Sequence, residues 1–294
     1  MKNLLLSAIC IVSLFLSSCQ NWIDVNPKTD IEAEEFFTSE DGFKSALTGL
    51  YSMMVLEKSY GRQMTFDFVE KLVQRYDNYA AGSVTDEERA AIYKYGETTS
   101  SKNAIAEIWL KLYNEIANIN NFLQYLESNG DVIVTEGYRD LMKGEALGLR
   151  AFHYFDLLRL FAPYDFSSEA KPAIPYVKEA RPAIAPQLTP AKFVEYALED
   201  VNAAIALLKE DPILTGKDIT GMDNGYLANR NFHLNYYAAV GLKARICLYA
   251  GNTKDAYDAA NEVILAQQNS DLFPWVKTED ITTTTIELRD RTFS

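Results

Sequence analysis

Glu145-Ala146-Leu147-Gly148-Leu149-Arg150-Ala151 and Ala238-Ala239-Val240-Gly241-Leu242-Lys243-Ala244 are two versions of one heptapeptide, matching at Ala, Gly, Leu and Ala with conservative changes between. Each falls in the second helix of an expected helix pair, ahead of an aromatic residue (Phe155, Tyr249) and a turn. That is how degenerate tetratricopeptide-type repeats are laid out. Residues 252–266, with Ala256, Ala260 and Val263 at helical spacing, read as the first helix of a further repeat. The expectation is an all-α fold: a right-handed stack of tetratricopeptide-like helical hairpins joined by extended loops.

The helices around these copies follow from apolar periodicity. Trp109, Leu112, Ile116, Ile119, Leu123 and Leu126 recur in steps of three and four, with Lys111, Glu115 and Asn118 on the wet side, and Asn129-Gly130 ends the run. Strict phase with Leu112 and Ile116 marks Trp109 as core. Residues 136–162 make the next helix, stopped by Pro163 and apolar on nearly every face from 146 onward, so it should be central. Its stripe of Gly144, Gly148 and Ala151 lets a neighbouring helix come close. Thr189-Pro190 opens another helix, lined by Val194, Leu198, Val201, Ile205 and Leu208. Residues 232–250 and 253–267 then form a pair joined by Gly251-Asn252. Nearer the N-terminus, hydroxyl and carboxylate side chains at 38–41 can cap a helix carrying Phe43, Leu47, Leu50, Tyr51 and Met54. A further helix is expected over 66–79.

The intervening stretches read as connections. Residues 80–103, with Gly82, Gly96 and a Thr/Ser cluster, predict a loop containing one short helical turn. Residues 163–190 hold six of the nine prolines and predict an extended connection. The Gly- and Asp-rich stretch 216–225 lacks the alternating oxygen ligands and closing Glu of an EF-hand, which favours a solvated loop over a calcium site.

The first nineteen residues concern destination. Lys2 precedes a thirteen-residue apolar run at 4–16, too short to span a bilayer and suited to a signal-peptide core. Leu16-Ser17-Ser18-Cys19 puts small residues before a cysteine, the arrangement a lipoprotein-processing peptidase reads. Residues 1–18 are thus expected to be a lipoprotein signal peptide, and Cys19 the acylated first residue of the mature chain. Each buried acyl methylene contributes about 0.8 kcal/mol, so two or more chains would hold the protein to a membrane without a spanning helix. Residues 19–38, polar and acidic with Pro27 early, read as a tether, and 39–294 as the helical repeat domain.

Composition narrows the chemistry. The 294 residues carry 28 Lys and Arg against 41 Asp and Glu, a net charge of -13 that repels nucleic-acid backbones. Two histidines and three cysteines leave little for a His/Cys metal site or a disulfide framework, and no motif calls for a cofactor. Cys247 shares a helical stripe with Val240 and Ala244 and reads as a small buried hydrophobe rather than a reactive thiol. His153, between Phe152 and Tyr154, reads as a buried structural histidine. Neither it nor His233 adjoins a candidate nucleophile. The pairs Glu34-Glu35 and Glu87-Glu88 lie in polar runs, where a solvated face is a better reading than a glycosidase acid and base. An enzyme is disfavoured.

Taken in order, several stretches resemble one family. The lipoprotein Cys19 is followed by Trp22-Ile23-Asp24-Val25 and Pro27, then Phe37-Thr38-Ser39 with residues 46–51. Next come residues 109–120, Leu149-Arg150-Ala151 with Tyr154-Phe155, and residues 237–251 leading into an Ala-rich helix. This resembles the SusD/RagB family of outer-membrane lipoproteins from Bacteroidetes-type bacteria. The resemblance implies a cell-surface, non-catalytic, tetratricopeptide-like protein. It would capture glycans, or in some members peptides, for a SusC-like TonB-dependent transporter. The family's chains run on for about the same length again, so this one is expected to be its N-terminal portion. The family's Gly-Asp-Val-Pro-like turn is also replaced by Phe161-Ala162-Pro163-Tyr164-Asp165.

Sugars offer apolar faces that stack on aromatic rings and hydroxyls that need polar partners. The stretch ahead of Trp109 holds Arg75, Tyr76, Asp77, Asn78, Tyr79, Tyr93 and Tyr95, and the resemblance favours these as ligand-binding candidates. For Tyr93 and Tyr95, packing on the repeat core is the competing reading. A lipid-anchored repeat scaffold for a protein partner is the alternative function, and a lipoprotein hydrolase the third.

Overall fold

The computed structural model describes residues 34, 36–74, 86–180, 184–215, 225–270 and 272–273. They fold into helices with a single two-residue strand pairing among the described residues. Helix α1 (Glu40–Met54) starts where Ser39 Oγ accepts from the Gly42 amide at 3.1 Å, with Glu40 and Asp41 at the positive end of the helix dipole. Phe43, Leu47 and Leu50 are its buried face.

Two boundaries in this first part of the chain differ from the sequence reading. Of the helix expected over 66–79, the described residues 66–74 hold α2 (Phe68–Leu72), after which Gln74 takes a left-handed φ of 56°; residues 75–79 lie outside the described residues. After α3 (Asp86–Ala91) and a 3-10 turn at Tyr95–Glu97, the long helix α4 (Thr99–Asn129) begins earlier than expected. The Thr/Ser cluster taken for loop is its first turn: Thr98 Oγ1 accepts from the Ser101 amide at 3.2 Å. Hydroxyl-rich sequence suits a loop and a helix cap equally, and here capping wins. Ile108, Leu112, Ile116, Ile119, Phe122 and Leu126 are buried along α4.

Helix α5 (Tyr138–Phe161) is the centre of the molecule, buried at every residue from Gly144 to Leu158 except Phe152. It stops as expected, Ala162 being extended ahead of Pro163. The proline-rich connection that follows is tied down by hydrogen bonds. Strands β1 (Ile174–Pro175) and β2 (Gln187–Leu188) pair antiparallel, Ile174 opposite Leu188. Tyr154 Oη both donates to the Val177 carbonyl and accepts from its amide, at 2.8 and 2.6 Å. Tyr113 donates to the Pro175 carbonyl at 2.9 Å.

Helix α6 (Pro190–Leu207) has Thr189 as cap and Pro190 in its first turn. Helix α7 (Tyr236–Tyr249) starts four residues later than expected, because Asn235 rather than the 232 region supplies the cap, accepting from Ala238 at 2.9 Å. Gly251, at φ 80°, turns the chain into α8 (Thr253–Ser270). From α4 to α8 each helix packs on the next, and α1 lies across α4 and α5. Consecutive antiparallel-type hairpins around one shared core are what the heptapeptide copies implied.

Four ionisable residues are buried on α5, each with a partner. Arg150 forks onto Asp200 through Nε and Nη2, both at 2.7 Å, and donates from Nη1 to Asn120 at 2.9 Å. His153 sits 2.6 Å from the Leu149 carbonyl through Nδ1 and 3.1 Å from Glu115 through Nε2. Asp156 accepts from Tyr60 at 2.9 Å and pairs with Arg159. Glu145 accepts from Tyr51 at 2.6 Å and from Arg230 at 2.5 Å, and Arg230 in turn forks onto Asp211. Buried charges persist only when paired this way. Apart from Arg159 and the Leu149 carbonyl on the same helix, the partners come from other segments, so the pairs tie α1, α4, α6 and the stretches around Tyr60 and Arg230 to the central helix.

Candidate functional site

The candidate binding residues fall in two places in the chain, five between α2 and α3 and two, Tyr93 and Tyr95, just after α3. Gln74 Nε2 donates to the Ala91 carbonyl at 2.8 Å, which ties the end of α2 to the end of α3. Arg75, Tyr76, Asp77, Asn78 and Tyr79 lie outside the described residues, as does Cys19.

Tyr93 and Tyr95 are described, and neither packs into the core: they are 60 % and 40 % exposed. Two features hold them out. The Tyr93 amide bonds back to the Ala90 carbonyl at 3.0 Å and the Lys94 amide to the Arg89 carbonyl at 2.7 Å, a helix-ending pair that goes with a φ of 61° at Tyr93. That left-handed backbone costs about 1–2 kcal/mol and persists only where surrounding structure imposes it. Arg89 then donates to Glu97 at 2.8 Å, bridging the turn on which both tyrosines ride. Ile92, 54 % exposed, adds apolar surface beside them.

A cleft of about 170 Å3 is lined by Arg62, Gln63, Asp67, Lys71, Ser100 and Ser101 together with Phe68, Ala90 and Ala104; neither tyrosine lines it. The stretch before α2 builds it, a run of tight turns in which the Arg62 carbonyl accepts from the amides of Phe66 and Asp67, both at 3.1 Å. Arg62 also reaches Asp67 at 3.1 Å and pairs with Glu57, while Lys71 pairs with Asp67. Sequence reasoning passed over residues 55–66. The signal that was there is the charged run Arg62, Asp67, Lys71 between Gly61 and the first candidate residue. Exposed rings, and a cleft of hydroxyl, amide and paired charged groups, suit a ligand with apolar faces and many hydroxyls.

The rest of the chemistry-bearing side chains are committed elsewhere. Trp109, expected in the core, is partly buried and packs against its edge, its ring 4.7 Å from Tyr113 and 5.0 Å from Phe161. Cys247 is buried, and burial pushes its thiol up from the ordinary value, so it is core rather than a thiolate nucleophile. His233 Nδ1 donates to Glu145 at 3.1 Å. Among the described residues no three His, Cys, Asp or Glu side chains converge as a metal site needs, and no helix is long and apolar enough to cross a membrane.

A SusD-like family model described as "Starch-binding associating with outer membrane" matches residues 21–216. Among curated relatives, SusD-like protein P25 of Formosa agariphila is 28% identical over 177 residues, covering 57% of this chain and 32% of its own length. SusD-like protein P38 of the same organism is 23% identical over 270 residues, covering 92% of this chain and 47% of its own. The chain thus spans about a third to a half of the length of these relatives. Among solved structures, a SusD superfamily protein from Bacteroides vulgatus aligns with a TM-score of 0.61 at 22% identity, over 79% of this chain and 48% of that one. A laminarin-binding SusD-like protein aligns with a TM-score of 0.54 at 20% identity, over 77% and 43%. At such identities the structures speak for the fold, which they share. With two-thirds of its length under the family model and helical hairpins in the same arrangement, the chain belongs to the SusD-like family.

Proposed function

We propose that the protein captures a glycan at the cell surface and passes it unaltered to a SusC-like TonB-dependent transporter in the outer membrane. In this reading Cys19 carries the acyl anchor, residues 19–38 lift the repeat domain off the membrane, and the ligand settles on the lobe around α2 and α3. The observation that carries it is the pair Tyr93 and Tyr95, left exposed on the surface, in a chain that belongs to a family described as starch-binding. A core role would have buried those rings, since an aromatic side chain hides 150–250 Å2 when packed. Arg75, Asp77 and Asn78 would supply hydrogen bonds to hydroxyls, and Tyr76 and Tyr79 further stacking surface. Laminarin, bound by one of the structural relatives, and starch, named in the family description, are the first glucans to try. Oligopeptides are the other ligand class in view.

The test is affinity electrophoresis of the protein from residue 20 onward in gels cast with starch, laminarin and a wider polysaccharide set. Retardation by at least one glycan, reduced in a Tyr93→Ala, Tyr95→Ala double variant that keeps its helical circular dichroism, supports the reading. Mobility unchanged in every glycan, with binding to a peptide pool instead, moves the ligand to the peptide class.

A further inference from the structure

Two polar side chains that line the cleft between the turns ahead of α2 and the start of α4 are more than nine-tenths buried, Gln63 at 8% exposed and Ser101 at 4%. Their backbones are committed. The Gln63 amide donates to the Glu57 carbonyl, its carbonyl accepts from Val69, and the Ser101 amide is capped by Thr98 Oγ1. The Gln63 carboxamide and the Ser101 hydroxyl, by contrast, have no protein partner among the described residues. Polar groups this deep in a fold are nearly always hydrogen-bonded, so unused donors on the wall of a cavity point to a ligand.

The charge of the lining selects what kind. Arg62 and Lys71 both pair with Asp67, Nε of Arg62 with Oδ2 at 3.1 Å and Lys71 with Oδ1, so two cations share one carboxylate. The lining therefore has positive charge in excess, in a chain whose net charge is -13. Glu57, which takes Arg62 Nη1, is not on the lining, and its side chain is 61% exposed, where solvent screens it. Arg62 Nη2 keeps its N–H groups uncommitted among the described residues. Through Ser100 and Ser101 the cleft also meets the positive end of α4, a helix of 31 residues with no acid in its first turn. Donors outnumber acceptors here, and the one carboxylate is already doubly paired. That is the chemistry that holds an anionic oxygen group.

Size and position set the rest. A volume of about 170 Å3 equals about six waters, room for one charged substituent rather than a length of polymer. Ala90 belongs to the lining and Tyr93 follows it by three residues, about 11 Å of chain at most. We propose that this cleft receives the anionic group, a carboxylate or a sulfate ester, of an acidic glycan whose neighbouring sugar units reach Tyr93 and Tyr95. This rests on the glycan reading above and narrows it to acidic polysaccharides. Gln63 and Ser101 donate to the anionic oxygens, Arg62 and Lys71 supply the charge, and Asp67 holds the two cations in place.

The experiment is isothermal titration of the whole chain with four probes: oligomers of polygalacturonate for carboxylate, of κ-carrageenan for sulfate, and of starch and laminarin as neutral glycans. The expected result is that one of the two acidic oligomers binds more tightly than either neutral one, and that its binding weakens as salt rises from about 0.05 to 0.5 M. A net charge of -13 opposes non-specific capture of polyanions, so such binding reports a site. Gln63→Glu sets a like charge against the anion and should weaken it by more than about tenfold. Ser101→Ala removes one donor and should weaken it about two- to twelvefold, and it carries the test if Gln63→Glu loses its helical circular dichroism. Binding of starch or laminarin oligomers with none of either acidic one overturns this proposal and leaves glycan capture standing, whereas no binding of any of the four overturns both. Acidic-oligomer binding of equal strength in both variants also overturns it, since the anion then sits elsewhere.

Discussion

Leu234 fills the place that a side chain on Gly148 would take: a Cβ built there would lie 2.0 Å from Leu234 Cδ2 and 3.2 Å from its Cγ. Leu234 is itself buried, and its amide accepts no other arrangement easily, since it donates to Tyr51 Oη at 2.8 Å. The glycine is therefore the condition for seating the 230–235 segment on the central helix. Gly148→Ala gains up to about 1 kcal/mol of helix propensity but overpacks a site where such insertions cost about 1–3 kcal/mol. The expected net result is a loss of about 1 kcal/mol by urea denaturation. Gly241→Ala, with open space around it, should be neutral or stabilising by up to about 1 kcal/mol.

Arg230 is the keystone of a buried polar cluster. It separates Glu145 from Asp211, both fully buried, and Tyr226 donates to the same Glu145 oxygen at 3.1 Å. Removing one partner of such a set leaves a charge without compensation, at a cost of about 3–5 kcal/mol. Arg230→Ala should lose that much stability in denaturant titration. Lys243→Ala, on the half-exposed repeat-copy position, should stay within about 0.5 kcal/mol.

Acid sensitivity follows from the same cluster. Burial raises the Glu145 pKa, but the Arg230 charge and the hydrogen bonds from His233 and Tyr51 outweigh it and hold the carboxyl below its ordinary value. A depressed folded-state pKa contributes stability that is complete above the unfolded value of about 4.3 and is lost as pH falls through the lower folded value. Stability measured by urea midpoint between about pH 2 and 5 should rise with pH, and in Glu145→Gln the slope should be shallower. An identical slope in the two proteins would show that Glu145 is not among the groups responsible.

The helices and their order were legible because apolar spacing and caps are local. Trp109, Leu112 and Ile116 announced α4, and Thr189-Pro190 announced α6, at the positions where they form. The start of α4 was hidden because Ser and Thr serve loops and caps alike, and the true start of α7 because Asn235 competes with several earlier polar residues. The buried pairs could not be read at all. Glu145 with Arg230 and Arg150 with Asp200 are 85 and 50 residues apart, and nothing in the local sequence distinguishes them from surface charges. At the lobe, Tyr93 and Tyr95 were visible as residue types, but their exposure depends on a left-handed turn at a tyrosine, which no propensity anticipates. The cleft lined by Arg62 and Gln63 was missed since these residues sit in irregular turns without periodicity.

If the two tyrosines stack on sugar, each ring contributes about 0.5–1.5 kcal/mol, or roughly two- to twelve-fold in affinity. Tyr93→Ala and Tyr95→Ala should each weaken glycan binding by that factor. Tyr257→Ala, an exposed ring on α8 away from the lobe, should leave it unchanged.

The most direct measurement of the central claim is isothermal titration of the protein from residue 20 onward with the glycan that retards it most, followed by chromatography of the recovered sugar. Saturable binding that falls with the Tyr93 and Tyr95 substitutions, and sugar recovered at its original length, is the predicted result. Shortened sugar, or binding indifferent to both tyrosines, would contradict capture without chemistry at the α2–α3 lobe.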